Sequence, residues 1–124
     1  MTHSPLGSIA RIALTVRELP RAVAFYRDTL GLPLLFEFPG LAFFNCHGQR
    51  LMLSPGEPPH KEAHGTVLYY KTDDLPEAFS QLKDRGVRVL REPHLIAKMP
   101  DHELWMAFFE DSEGNMFALM SEVR

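Results

Sequence analysis

Cysteine is almost missing from this chain. Cys46 alone occurs among 124 residues, which excludes an intrachain disulfide and suits a reducing compartment. Long apolar runs are missing too: nothing approaches the roughly 18 residues that a membrane-crossing helix needs. The opening MTHSPLGS lacks the basic-then-apolar order of a signal peptide. A cytoplasmic protein with no membrane partner is therefore expected. Nor is there a surplus of positive charge. Thirteen Lys and Arg against 16 Asp and Glu leave a net charge of -3, which argues against nucleic acid as a partner. No G-x-S-x-G serine, no phosphate-cradling glycine loop and no nucleophile constellation occurs. What is present is a 45% hydrophobic, 23% charged composition, enough for one globular domain with a core of its own.

The most informative stretch is IARIALTVRELPRAVAFYRDTLGL, residues 9–32. Ile12, Leu14 and Val16 alternate with Ala13 and Thr15, as in a strand. Leu19-Pro20 forms a corner, and Pro20 suits the start of a helix, where its missing N–H costs nothing. Val23, Tyr26 and Leu30 then mark one apolar helix face, which Gly31 ends. Three strands follow: Leu34–Phe38, then Leu41–Asn45 and Gln49–Ser54 around the turn Asn45-Cys46-His47-Gly48, read as a three-residue hairpin loop closed by Gly48. A polar, Pro-rich link covers residues 55–65. The order then repeats. Thr66–Thr72 is a strand, Leu75-Pro76 the corner, and Pro76–Arg85 a helix with Phe79, Leu82 and Lys83 inward. Gly86 stops it. Val87–Arg91 is a strand, Glu92 to Asp101 a loop, and Glu103–Glu110 with Asn115–Glu122 a hairpin. Corner, helix length, glycine stop and final hairpin recur in one order, so the chain reads as two βαβββ modules, about 9–54 and 66–122, in a single domain.

With LPRAVAFYRDTLGL after the first strand and FFEDSEGNMFALMSE near the end, the sequence resembles the glyoxalase / bleomycin-resistance / extradiol dioxygenase group, the vicinal oxygen chelate superfamily. The resemblance covers about residues 9–122. It implies an α+β fold whose curved mixed sheets form half-barrels around a cavity, with helices on the convex side, and a homodimer. It also implies a divalent metal held by four strand residues. Those positions lie eight residues before each corner leucine and four after each hairpin glycine. Here they are Arg11, Val67, Met52 and Ala118. A guanidinium has no lone pair to give, Val and Ala have no donor, and a thioether suits only soft metals. The expectation is a chain with no metal and no other cofactor, in which lactoylglutathione lyase activity is not to be looked for.

Residues two apart share a strand face. In the second module Ala118, Met120, Phe108, Met106, Leu104 and His102 fall together, with Met116, Val67 and Tyr69. In the first, the same count groups Met52, Arg50, Phe44 and Ala42 with Arg11 and Ala13. This apolar cup with few polar points suits a small-molecule ligand, although each methionine taken singly better suits core filling. Arg11 on an inward face must pair with a carboxylate or meet an anion. His102 is the candidate acid/base or orienting group. His94, His102 and Glu103 form a weaker, relocated metal set, because His102 and Glu103 point to opposite faces of a strand. His60 and His64 in the link read as solvated or capping, His47 in the turn as solvated, and Trp105 as packed against a helix. Two functions follow: a metal-free binding protein for an apolar ligand with an anionic oxygen, or an enzyme, whether a lyase, isomerase or dioxygenase, with a displaced metal or acid/base chemistry.

Overall fold

The computed structural model describes residue 5 and residues 8–56 and 67–124. The expectations for His60, His64 and most of the link lie outside the described residues. The chain divides into two compact units, residues 1–58 and 59–124.

The first unit runs β1 (Ile12–Val16), α1 (Leu19–Ala24), a π-helical segment (Phe25–Thr29), β2 (Leu34–Phe38), β3 (Leu41–Cys46) and β4 (Gln49–Pro55). Its sheet has the order β1-β4-β3-β2. β1 is parallel to β4, and the other pairs are antiparallel. The helix expected to run evenly to Leu30 instead widens at Phe25. The Leu30 N–H donates to the Phe25 carbonyl, five residues back, at 2.9 Å, and the Leu32 N–H to that of Tyr26 at 2.9 Å. Within the widened turn, Tyr26 is buried against Phe44, their ring centroids 6.0 Å apart.

The second unit repeats this plan with β5 (Leu68–Lys71), α2 (Leu75–Asp84), β6 (Arg88–Lys98), β7 (Glu103–Glu110) and β8 (Met116–Val123), in the order β5-β8-β7-β6. Asp74 caps α2, its Oδ1 accepting from the Glu77 N–H at 3.1 Å. Gly86, at φ 84°, closes it: the Gly86 N–H donates to the Lys83 carbonyl and the Val87 N–H to that of Leu82, both at 3.0 Å. Lys83 is not inward. It is exposed, with its Nζ 6.0 Å from the Phe79 ring centroid.

The residues read as a loop from Glu92 onward are instead strand as far as Lys98, paired with β7 across three bulges. Pro93 falls within this stretch, and it is accommodated because β6 is an edge strand, where a missing N–H breaks no ladder. The bulges also erase the alternation that a sequence reading relies on.

Each helix covers one face of its own sheet. Beneath α1 lie Val16, Leu51, Leu53 and Phe44; beneath α2 lie Ala107, Phe109, Phe117 and Leu119, all buried. The fold is α+β, two βαβββ modules, each a four-stranded mixed sheet with one face left clear of its helix.

Candidate functional site

The helix-free face of the first module starts from the pairing of Ala13 with Met52. Arg11 lies two residues before Ala13 and Arg50 two before Met52, so all four share the face. The residue opposite Met52 on β3 is Phe43, not Phe44. Phe44 is 0% exposed and faces the helix with Ala42. The grouping of Phe44 and Ala42 with Met52 is thus corrected. Its cause is the turn: Cys46 pairs with Gln49, leaving a two-residue loop, His47-Gly48, with φ 50° and 91°. A three-residue loop would pair Asn45 with Gln49. The one-residue difference turns every β3 side chain over.

The corrected face carries a row of rings that the sequence reading missed. Phe43 and Phe36 have centroids 4.8 Å apart, and Phe36 and Phe38 5.4 Å. Phe36 reaches this face through a bulge between Leu34 and Phe36. The Arg11 guanidinium lies 5.6 Å from the Phe43 centroid, with its Nη1 3.8 Å from the Met52 sulfur. The Arg50 guanidinium lies 5.6 Å from the Phe36 centroid. Both arginines are exposed, and neither pairs with an acidic side chain among the described residues. Phe43 is itself buried, while Phe36 and Phe38 are exposed; these two rings and the two guanidiniums make a surface for a ligand that is both flat and anionic.

In the second module the expected register is present: Phe108 opposite Ala118, Met106 opposite Met120, and Tyr69 opposite Ala118. Tyr69 is 49% exposed and meets Phe108 edge-on, centroids 6.3 Å apart. Val67 precedes β5 on the same alternation. The histidine that joins this face is His94, opposite Met106 and 6.1 Å from the Phe108 centroid. Its Nδ1–H donates to the Glu92 carbonyl at 2.9 Å, which leaves Nε2 as the acceptor. His94 was hidden by the reading of its segment as loop.

His102 sits elsewhere, in the turn before β7. Its Nδ1 is 2.7 Å from Asp101 Oδ1, and Arg124 Nη1 is 2.9 Å from Asp101 Oδ2. These contacts hold the Asp101 carboxyl below its ordinary range, the His102 hydrogen bond most and Arg124 next. Lys98, Met99, Asp101, His102, Glu103, Val123 and Arg124 line an open cavity of about 450 Å³. Of the grouped residues Leu104, Met106, Phe108, Ala118 and Met120, none lines it.

The four positions implied as metal ligands are equivalent in the two modules. Arg11 stands two before the partner of Met52, and Val67 two before the partner of Ala118. A guanidinium, a thioether and two aliphatic groups do not fit a divalent cation. Among the described residues no group of three or more His, Cys, Asp or Glu side chains is placed to hold a metal.

Residues 8–119 match the model of the Glyoxalase/Bleomycin resistance protein/Dioxygenase superfamily. The chain belongs to this superfamily. It is 26% identical over 129 residues to an uncharacterized protein, YraH, of Bacillus subtilis (strain 168), covering 90% of this chain and 95% of that one. It is also 26% identical over 131 residues to biphenyl-2,3-diol 1,2-dioxygenase 3 of Rhodococcus globerulus, covering 96% of this chain but only 64% of the dioxygenase. Among solved structures, lactoylglutathione lyase from Agrobacterium tumefaciens superposes with a TM-score of 0.71 at 25% identity, covering 95% of this chain and 96% of that one.

Proposed function

We propose that this superfamily member is a cytoplasmic, homodimeric small-molecule binding protein that works without metal. Its ligand is an apolar, flat molecule carrying an anionic oxygen. The observation that carries this reading is Arg11, standing where the fold's relatives are expected to hold metal. Its guanidinium rests on Met52 and Phe43 and has no acidic partner among the described residues. A cation there supplies part of the charge that a divalent metal would, and takes a planar carboxylate through two parallel hydrogen bonds. Arg50 over Phe36 repeats the pairing of cation and ring. Considered by itself, the second module presents its own apolar face of Met106, Phe108, Met120 and Tyr69.

Calorimetric titration with benzoate and with benzyl alcohol tests the reading. Benzoate binds and the uncharged alcohol does not. Equal binding, or none by either, defeats it. In parallel, treatment with chelator leaves the melting temperature and benzoate binding unchanged. A drop that zinc, nickel or manganese restores would transfer the case to a displaced metal enzyme. One observation favours the catalytic alternative: the Nε2 of His94 is free to accept a proton next to Phe108 on the same face.

A further inference from the structure

A second cavity, of about 450 Å³, lies on the other side of the second module, under the start of α2. It is lined by the corner Asp73-Asp74-Leu75-Pro76, by Pro93, by Glu103 and Trp105 of β7, and by Ser121 and Val123 of β8. None of the residues assigned above to ligand binding takes part.

Its wall is apolar and its charge is of one sign. Three carboxylates border it, and no Lys, Arg or His does. The Trp105 Nε1–H donates to Glu103 Oε1 at 3.1 Å, which fixes both the indole and the carboxylate. The second oxygen of Glu103 has no hydrogen-bond partner among the described residues, and Asp73 has none for either of its own. Asp74 is committed to capping α2 and offsets the partial positive charge of that helix end. Ser121 adds an independent sign. It is 4% exposed, yet its hydroxyl makes no hydrogen bond among the described residues. Among the described residues no side-chain nitrogen or oxygen is both sealed from solvent and unpartnered, so the hydroxyl keeps an opening at the cavity that its residue lines. A tightly enclosed hydroxyl without a partner is a place prepared for a ligand's polar group.

An indole ring, unengaged carboxylate oxygens and a waiting hydroxyl in an apolar cavity match an organic cation. We infer that this cavity binds a small organic ammonium ion carrying a hydroxyl or similar polar group. The carboxylates and the Trp105 ring attract the ammonium, and Ser121 meets the polar end. This site is separate from the anion-seeking face and does not depend on it.

The test uses choline as probe and 3,3-dimethylbutan-1-ol, its uncharged carbon counterpart, as control. Trp105 is the chain's single tryptophan, so its fluorescence reports the cavity directly, with calorimetry as a second readout. Choline gives a saturable change and the control does not. Glu103→Gln and Asp73→Asn each weaken choline about ten-fold, the loss of one carboxylate's attraction for an ammonium that has no N–H to donate, while benzoate binding is unaltered. If Glu103→Gln lowers the melting temperature, Asp73→Asn alone decides, because Asp73 is exposed and unpaired. Equal binding of choline and its neutral counterpart overturns the inference, and so does the absence of any choline response. Loss of benzoate binding with choline binding retained refutes only the function proposed above.

Discussion

Arg11 is where the chemistry of a single residue decides most. The sequence offered it, as an inward residue, a carboxylate partner or an anionic ligand; the structure instead leaves it exposed just before β1, resting on Phe43 and Met52, with no acidic partner among the described residues. Arg11→Met therefore leaves no buried partner orphaned, and its stability stays within about 0.5 kcal/mol of the parent, as for other surface changes. Its affinity for benzoate falls by about 1.5–3 kcal/mol, the value of a hydrogen bond to a charged group. A destabilised variant with unchanged affinity would sink the role given to Arg11. Phe44 has the opposite profile. Fully buried against Tyr26, it costs about 3–5 kcal/mol when cut to Ala, measured by denaturant unfolding. Cys46 is partly buried, and that burial raises its thiol pKa. A raised thiol pKa keeps the proton on longer in the folded state than in the unfolded one. The associated stability is present below the ordinary thiol value and is lost as pH rises above it. At pH 8 Cys46 accordingly reacts with a thiol reagent more slowly than free cysteine. Arg11, Ala13, Arg50 and Met52 were legible because they sit on strands whose alternation is unbroken. Phe43, Phe36 and Phe38 were not, because their faces depend on a turn length and a bulge, neither of which leaves a periodic trace.

At the scale of elements, the β3–β4 turn carries that information. A two-residue loop of the mirror-image type needs positive φ at both positions, and His47 takes one of them at 50° without being glycine. An asparagine-glycine pair would have announced such a turn; a histidine-glycine pair did not. His47→Gly or His47→Asn therefore relieves strain and raises stability by a few tenths to about 1 kcal/mol. Gly48→Ala, at φ 91°, costs about 1–2 kcal/mol. Melting curves of the two variants moving in the same direction would contradict the turn type. The helix ends behave more simply, since Asp74 and Gly86 are the residue types that capping demands. Asp74→Ala should cost about 1 kcal/mol. β6 was half legible: Val87–Arg91 showed the strand, while three bulges concealed its continuation to Lys98. That continuation matters for the site, since it is what carries His94 to Phe108.

For the whole molecule, duplication was the strongest signal, because Leu-Pro corners, glycine stops and final hairpins recur at matching places. Periodicity can reveal two like modules, but it contains nothing about what covers their helix-free faces. The chain leaves large apolar groups uncovered there and along the edges. Phe36 and Phe38 are exposed, the latter by 56%, as are Tyr69 on β5 and Leu90, Leu95 and Ile96 on β6. β2 and β6 are edge strands of their own sheets, and exposed apolar edges invite pairing with another chain unless something guards them. A small ligand covers part of one face; it does not cover two edges. The expected state is thus a dimer of about twice 14.1 kDa, as proposed above, with Phe38 and the β6 residues among those it buries. Light scattering across a dilution series measures this directly. Phe38→Asp and Ile96→Asp place a charge at these positions and should raise the dimer dissociation constant, while α1, α2 and both sheets persist in the circular dichroism spectrum. A parent chain that runs as a monomer at every concentration would mean that a second copy does not cover these edges. The module fold would stand in that case, because the buried faces under α1 and α2 owe nothing to a partner.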